Sequence, residues 1–410
     1  MATKALILVE GHQENGPLYV QAAHRLGLHP ITLAANPAEY DYLAAESVEV
    51  IRVNTDNLAA LIRECDRLRA TYDIAGITGF PGLDESIYVT VASLCQYFKL
   101  PGPNPESVEK CYNKFAQRQL LAQAGVPVPA YRVAASSADV ESAAADIGLP
   151  VVIKPVVGSG SSGVRLCRTV DEVTEHAGHL LGGAHIWRCS PMILVEEFAQ
   201  GPYYGANIMG NDVVGIAAAD FGPPPHFVFR ETIFPAPLTD SENKLIADVS
   251  LSCLQALGLG WGPTNIELRW TTGGPVIIEV NPRLSGGTAP RRIQLAYGID
   301  LVTEHVKLVV GEKCDLRRRQ ANFAASRNLV PDRDGTLDWI HGGSQAAAIP
   351  GIAEVKFVKP GTSVVRRGDY TDTLGHVIAA SPDLTQAKAA LQLAVDVISW
   401  SITPFPSEQE

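Results

Sequence analysis

The chain has 410 residues, of which 46% are hydrophobic and 19% charged, and its formal net charge is −11. This length exceeds one ordinary domain, and the apolar content is enough for packed cores and argues against a disordered chain. An acidic chain without a basic block is a poor match for nucleic acid or an anionic membrane surface, and the basic run at residues 317–319 is typical of a solvated helix end.

The seven cysteines are scattered, odd in number and never in a Cys-x-x-Cys pair, which indicates free thiols in a reducing compartment. No apolar run reaches the ~18 residues that a membrane span needs. The first run, at residues 5–9, is also too short for a signal peptide. We therefore expect a soluble, cytoplasmic protein.

The first 100 residues alternate short apolar runs with helical patterns. They predict strands at residues 5–9, 29–34, 48–53 and 74–78, and helices at 17–26, 58–69 and 86–98. This alternation is typical of βαβ units, so residues 1–103 are assigned to an N-terminal, Rossmann-like parallel-sheet domain. The turn from Gly11 to Pro17 lacks the dinucleotide glycine fingerprint and serves either as an anion site or as a plain structural turn.

The rest of the chain predicts a mixed α/β and α+β multidomain protein. One long helix is expected over 107–124, with further helices over 140–147, 293–310 and 384–400. Strands are expected over 150–155 and 164–168, and a separate antiparallel region takes 192–198, 213–219, 264–270 and 276–281. We place a central domain at 104–315, with a lid subdomain at about 128–196, and a C-terminal α+β subdomain at 316–410.

A glycine-rich loop, Gly158-Ser-Gly-Ser-Ser-Gly163, matches G-x-G-x-x-G. The dinucleotide version of this motif joins a strand to a helix, but Val164-Arg-Leu-Cys after this loop is strand-like. The loop is therefore predicted to join two antiparallel strands as a flap over phosphates, with Lys114 and Lys154 as point charges. Protein kinases also use such a flap, but their HRD and DFG signals are missing. A flexible surface hairpin is the alternative.

Two strand patterns, around Glu267 and Glu279, are joined by Thr-Thr-Gly-Gly. A short hairpin through that turn pairs residues whose numbers sum to about 546, which places the two glutamates opposite each other and Asn281 two residues further on the same face. Because like charges at that distance repel, the pair requires a cation. Two carboxylates and an amide suit Mg²⁺, and Arg283 is placed to hold a second anion. Solvent-facing glutamates are the alternative.

In this order the motifs resemble the ATP-grasp superfamily over roughly residues 1–315. The shared stretches are Asn113-Lys114, Gly125-Val-Pro-Val-Pro129, Val152-Ile-Lys-Pro155, the glycine loop, Val195-Glu-Glu-Phe198 and Glu267…Glu279-x-Asn281-Pro-Arg283.

This resemblance implies the roles of the site residues. Lys114 and Lys154 would contact ATP phosphates, and Glu196 would meet the adenine amino group. Glu267, Glu279 and Asn281 would hold Mg²⁺, expected as two ions, and Arg283 would stabilise a phosphorylated intermediate with the turn Ser285-Gly286-Gly287. The full predicted nucleotide set is Lys114, Lys154, Gly158, Ser159, Gly160, Ser161, Ser162, Gly163, Glu196, Glu197, Phe198, Ala199 and Tyr203.

A narrower resemblance is to the L-amino acid ligases, which join free amino acids into dipeptides. It rests on Asn281-Pro-Arg-Leu-Ser-Gly-Gly287, Glu231-Thr-Ile-Phe-Pro235 and Gly375-His-Val-Ile-Ala-Ala. Two positions depart from that pattern: Tyr203 stands where a ribose-binding acid is usual, and Phe234 where a His is usual, which predicts a more apolar pocket. Glu231 is either a holder of a substrate α-ammonium or a structural strand residue, and Trp339 is a further candidate for the pocket wall.

These resemblances predict an ATP-dependent ligase that joins a carboxylate, expected to be an amino acid, to an amine through an acyl phosphate. The same superfamily offers a ligase of purine biosynthesis or a biotin-type carboxylase instead, and a different class offers an inactive nucleotide-binding regulatory protein. The expected partners are small molecules, with ATP and Mg²⁺ as cofactors. The resemblance allows a homodimer, and the residues alone leave the oligomeric state open.

Overall fold

The computed structural model describes residues 2–46, 48–80, 85–184 and 191–406. Its first part is a parallel sheet of order β3-β2-β1-β4, flanked by helices. The strands are β1 Thr3–Val9, β2 His29–Ala34, β3 Glu49–Arg52 and β4 Tyr72–Gly79, and the helices are α1 Gly16–Arg25, α2 Tyr42–Ala45, α3 Leu58–Leu68 and α4 Ser86–Phe98. The predicted parallel sheet is therefore confirmed.

The lid is a small antiparallel sheet of order β5-β8-β6-β7, covered by two helices. Its strands are β5 Tyr131–Ala134, β6 Val151–Pro155, β7 Arg165–Cys167 and β8 Ile193–Glu197, and its helices are α7 Ser137–Ile147 and α8 Val170–His179. The glycine loop joins β6 to the antiparallel β7, as predicted. The assignment of residues 192–198 to the other antiparallel region was wrong, because β8 pairs with β5 and β6 and buries Ile193 and Val195 in the lid core.

A large antiparallel sheet forms the centre of the molecule, in the order β13-β12-β9-β10-β11-β14-β18-β16. Its strands are β9 Tyr203–Met209, β10 Asp212–Asp220, β11 Glu231–Phe234, β12 Pro263–Thr271, β13 Gly274–Asn281, β14 Phe323–Asn328, β16 Ile352–Phe357 and β18 Gly375–Ser381. Strands from beyond residue 315 thus continue the sheet that carries the glutamates. The sheet crosses the boundary that was predicted between the central domain and the C-terminal subdomain.

Three predicted helices are shorter than expected. The pattern at 107–124 divides into α5 Pro105–Tyr112 and α6 Lys114–Gln123, because Asn113 is extended and its side chain accepts hydrogen bonds from the first amides of α6. The pattern at 293–310 divides into α10 Ala289–Tyr297 and α11 Leu301–Val309 at Gly298, whose φ of +70° ends a helix. The last helix, α13, covers Leu384–Asp396 and gives way to strand β19, Ser399–Thr403.

One long helix, α9 Asp240–Leu257, was not predicted. Its N-terminus has a capping box between Thr239 and Glu242, a sequence signal that could have revealed it. It packs its buried face against β9 and β13. The C-terminal region adds a small sheet of β15 Gly335–His341, β17 Ser363–Val364 and β19, with the short helix α12 Gly343–Ala347.

Within the described ranges no helix has both the length and the apolar character needed to cross a bilayer. Six cysteines are described, all as free thiols, and five of them are buried. Cys189, the seventh, lies outside the described residues.

Candidate active site

The hairpin of β12 and β13 has the predicted register at its centre. Glu267 pairs with Glu279, and Asn265 pairs with Asn281, the next pair on the same face of the sheet. The amide Nδ2 of Asn265 lies 3.3 Å from Glu267 Oε1, and that of Asn281 lies 3.5 Å from the same oxygen. Two carboxylates and two amides therefore converge on one patch of the sheet.

This patch is electrostatically asymmetric. Burial, together with the charge of Glu279, raises the pKa of Glu267 to about 7. Burial acts in the same direction on Glu279, but Lys114 and Lys154 outweigh it and hold the pKa of that carboxyl below its usual value. Lys114 Nζ lies 2.9 Å from Glu279 Oε1. The lysines therefore compensate part of the negative charge of Glu279, and Glu267 is left suited to binding a cation.

A second buried charge cluster surrounds Glu196. One carboxylate oxygen pairs with Lys154 and the other with Arg118, and all three side chains are at most 5% exposed. Burial lowers the pKa of the Lys154 ammonium. Glu196, which was expected at the adenine amino group, lines the smaller cavity and pairs with both cations.

Both lysines stand where the sequence suggested, beside the glycine loop. Lys114 is the first residue of α6, directly after the cap Asn113, and it also donates to the carbonyl of Gly158. A cavity between the lid and the large sheet is lined by both lysines, the flap residues 158–162, the hinge residues Glu196, Glu197, Phe198 and Ala199, and the carboxylates of the hairpin. Gly163 bounds the flap, where its carbonyl contacts the His176 ring at 2.9 Å.

An aromatic cluster that the sequence did not reveal forms one side of this cavity. The Arg269 guanidinium lies 5.3 Å from the ring centre of Phe198, 5.7 Å from that of Phe227 and 5.8 Å from that of Phe221. Tyr203 packs edge-on against Phe221 at 4.7 Å and hydrogen-bonds to Glu267. Tyr203 therefore contacts both the aromatic cluster and the carboxylate patch.

A larger cavity of about 680 Å³ adjoins the first one and shares Tyr203, Glu267 and Arg283 with it. Its wall contains Arg283 and the turn Ser285-Gly286-Gly287. Arg283 forms an ion pair with Glu85 at 2.7 Å, and this acid at the start of α4 was not predicted. Glu85 holds the arginine beside the carboxylate patch.

Two predicted pocket residues lie elsewhere. Glu231 faces away from the larger cavity, because side chains alternate along β11 and Thr232 and Phe234 occupy the cavity side. Its carboxylate pairs with Arg327 on β14, so the predicted contact with a substrate ammonium is corrected to a structural ion pair. Trp339 is 38% exposed on β15 and stacks on His341, away from the cavity. Phe234 does line it.

Two family profiles match the chain. The ATP-binding domain of the carbamoyl-phosphate synthase L chain matches residues 113–317, which is half of the 410 residues. The L-amino acid ligase C-terminal domain 2 matches residues 327–403. The chain therefore belongs to the ATP-grasp superfamily, and it is an ATP-dependent carboxylate–amine ligase.

Individual relatives and a solved structure are similar to this chain over most of its length. The chain is 58% identical over 403 residues to an uncharacterised protein of Sinorhizobium fredii, covering 98% of this chain and 84% of that one. It is 30% identical over 353 residues to carnosine synthase 1 of Homo sapiens, covering 79% of this chain but only 42% of that protein. The crystal structure of an L-amino acid ligase from Bacillus licheniformis has the same fold, with a TM-score of 0.83 at 21% identity and coverage of 98% of this chain and 100% of that one.

Proposed function

We propose that the protein forms an amide bond between the carboxylate of one amino acid and the amine of a second, with an acyl phosphate as intermediate. The observation that carries the proposal is that two cavities share Glu267 and Arg283 in their walls, and that the smaller one is also lined by Glu279 and the two lysines. A nucleotide and a pair of small substrates can thus meet at one patch of the sheet.

The smaller cavity is the proposed ATP site. The base would lie at the hinge from Glu196 to Ala199, near Tyr203 and the aromatic cluster around Arg269. The phosphates would lie under the flap, within reach of Lys114, Lys154 and the loop amides. Because the two lysines would contact the polyphosphate directly, this acidic chain needs no basic surface to bind ATP.

Glu267, Glu279 and Asn281 fit a site for Mg²⁺, which prefers oxygen ligands and keeps several waters. The fit rests on the donor set and on the raised pKa of Glu267, which indicates a carboxylate that lacks a full counter-charge. Bound there, Mg²⁺ would neutralise phosphate charge and polarise the γ-phosphoryl group. The number of ions, expected as two, belongs to this proposal.

The chemistry balances in two displacements. A carboxylate oxygen attacks the γ-phosphorus and ADP leaves; the amine nitrogen then attacks the acyl carbon, loses a proton, and phosphate leaves. Arg283 would stabilise the negative charge that develops on the acyl phosphate, and the glycine flap would exclude water from it. Glu85 fixes the arginine for this role through the ion pair at 2.7 Å.

The test is a substrate panel with ATP, Mg²⁺ and pairs of amino acids. We expect phosphate release only when a carboxylate and an amine are both present, with one amide formed for each ADP. Phosphate release that requires bicarbonate and biotin would show a carboxylase instead, and release that requires a phosphorylated ribosylamine would show a purine-type ligase. ATP binding without turnover of any pair would indicate a regulatory protein.

A further inference from the structure

Arg292, on α10, is a buried cation whose side chain reaches into the larger cavity. It is 7% exposed. Its Nη1 donates to Ser326 Oγ at 2.9 Å and to Thr288 Oγ1, and both partners are neutral hydroxyls. Its Nε is buried without an acceptor, and among the described residues no carboxylate forms an ion pair with it.

This arginine differs from Arg118 and Arg283, two other arginines of the site. Arg118 is paired with Glu196 and Arg283 with Glu85, so the structure neutralises both. A buried guanidinium without an anion is costly, and here burial lowers the pKa of Arg292 to about 10. A purely structural link between α10 and β14 would need only the two hydroxyl contacts, which a neutral donor could make.

The position of Arg292 separates it from the reacting centre. Its partner Ser326 lies on β14 and pairs with Thr232 of β11. Going from β14 to β12, which carries Glu267, the sheet order crosses β11, β10 and β9. Four strand spacings correspond to about 19 Å along the sheet. An anion held by Arg292 is therefore not the carboxylate that is activated at the glutamate patch.

We propose that Arg292 binds a free carboxylate at the end of a substrate remote from the bond being formed. The planar guanidinium fork matches a carboxylate in two parallel hydrogen bonds, and Ser326 and Thr288 hold the fork in one orientation. The carboxylate belongs either to the amine substrate or to a diacid that supplies the acyl group. The inference rests on the proposed function, since it assigns specificity to the same cavity.

The first experiment measures binding without ATP or Mg²⁺. Thermal unfolding is followed with glycine, 4-aminobutanoate and glycylglycine, each compared with its carboxamide. We expect at least one acid to raise the melting temperature more than its amide does, and Arg292→Gln to abolish that difference. Equal effects of all acids and amides, a difference that persists in Arg292→Gln, or stronger protection by inorganic phosphate would overturn the assignment.

The matched control is Arg291→Gln, which removes the neighbouring guanidinium on the same helix. Arg291 is outside the cavity lining, its side chain is 39% exposed, and it lies 3.6 Å from Glu354. This variant should keep the difference between acid and amide. Arg292→Lys keeps the charge but lacks the fork, so it should retain part of the protection, and its melting temperature without ligand shows that the fold tolerates changes at this position.

The second experiment measures turnover with ATP and Mg²⁺ and identifies the source of the carboxylate. Amines are compared with their carboxamides in one series, and diacids with their monoamides in the other. In one of the two series we expect conversion of the carboxylate to an amide to raise KM at least tenfold with little change in kcat. Arg292→Gln should remove this difference in KM between acid and amide. Discrimination that is unchanged in Arg292→Gln would overturn the inference. If no pair releases phosphate, the proposed function fails, while the binding experiment still decides the role of Arg292.

Discussion

Glu267 and Glu279 concentrate two like charges on one patch, and the protein compensates only one of them with Lys114. A cation at this patch would relieve the remaining repulsion, so metal binding and nucleotide binding should be coupled here. The pair is therefore the most sensitive point of the site to changes that preserve size but remove charge.

We expect Glu279→Gln to lower turnover by at least 100-fold and to raise the Mg²⁺ concentration needed for half-maximal rate, because one anionic ligand becomes a neutral amide. Phosphate release measured against Mg²⁺ concentration checks this. Glu175→Gln, at a side chain 69% exposed on the lid, is the control and should leave both quantities unchanged. An unaltered Mg²⁺ dependence in Glu279→Gln would contradict the metal assignment.

His305, in the wall of the larger cavity, gives a pH-dependent stability. Burial lowers its pKa to about 4, and its Nδ1 lies 2.6 Å from the Tyr19 hydroxyl. Because the unfolded chain takes up this proton near pH 6.5 and the folded chain does not, stability is lost as pH falls below 6.5. From pH 7.5 to 5 the residue should cost about 2 kcal/mol of unfolding free energy.

Urea unfolding at pH 7.5 and pH 5 measures this contribution. His305→Gln should lose about 2 kcal/mol less than the parent protein over that range, because its side chain does not titrate. His24→Gln, at an exposed position on α1, should behave like the parent. His176 also has a lowered pKa, of about 4, so the comparison uses the difference between variant and parent. Equal losses in the parent and in His305→Gln would contradict the assignment.

At the residue scale, a contact can be predicted from the sequence when its two residues lie close together along the chain. The pairing of Glu267 with Glu279 could be predicted because a short turn fixes the register of a hairpin, and the same sum of 546 also places Asn265 opposite Asn281. Arg118 could not be matched to Glu196, because the two lie 78 residues apart and meet only when the lid folds onto α6. The role of Glu231 stayed open between a substrate contact and a structural one because its partner, Arg327, comes from a later strand.

At the scale of elements, the cap between α5 and α6 positions Lys114. Asn113 accepts hydrogen bonds from the amides of Phe115 at 3.0 Å and Ala116 at 3.1 Å. This cap ends one helix pattern and starts the next, so Lys114 sits at the first turn of α6, next to Gly158. Helical periodicity runs through this point without a break, which explains why a single helix was predicted.

Asn113→Ala should destabilise the protein by about 1 kcal/mol and also raise the KM for ATP severalfold, because the first turn of α6 loosens. Denaturant unfolding and ATP-dependent phosphate release measure the two effects. Asn57→Ala removes an equivalent cap on α3, far from the lysines, and should cost similar stability with an unchanged KM. If both variants change KM equally, the cap does not position Lys114.

The lid illustrates the same limit for strands. The pattern at residues 192–198 correctly predicted a strand, but a short apolar run does not specify its sheet, and β8 pairs within the lid. The break at Gly298 was likewise hidden inside a continuous apolar pattern, although a glycine is itself a stop signal. Strand and helix types were therefore more predictable than sheet membership and helix ends.

Across the whole molecule, the C-terminal region reaches the glycine flap. The Tyr370 amide donates to the carbonyl of Gly160 at 3.0 Å, and a Cβ at Gly160 would overlap the Tyr370 ring. Gly160 has a φ of +66°, which favours glycine. Tyr370 is a long way from the flap in sequence, so this contact gives the region after residue 315 a defined part in holding the lid.

We expect Gly160→Ala to displace the flap from Tyr370 and to admit water to the proposed acyl phosphate, so that phosphate released per amide formed rises above one. Gly125→Ala is the matched control: its φ is +75°, but nothing lies within 4 Å of the added Cβ, so it should cost stability without uncoupling the reaction. Tyr370→Ala combined with Gly160→Ala should restore part of the coupling, since the clash is gone. The ratio of phosphate to amide product is measured for the parent, the two single glycine variants and the double variant. Equal ratios in Gly160→Ala and Gly125→Ala would show that backbone strain alone, and not the contact with Tyr370, controls the flap.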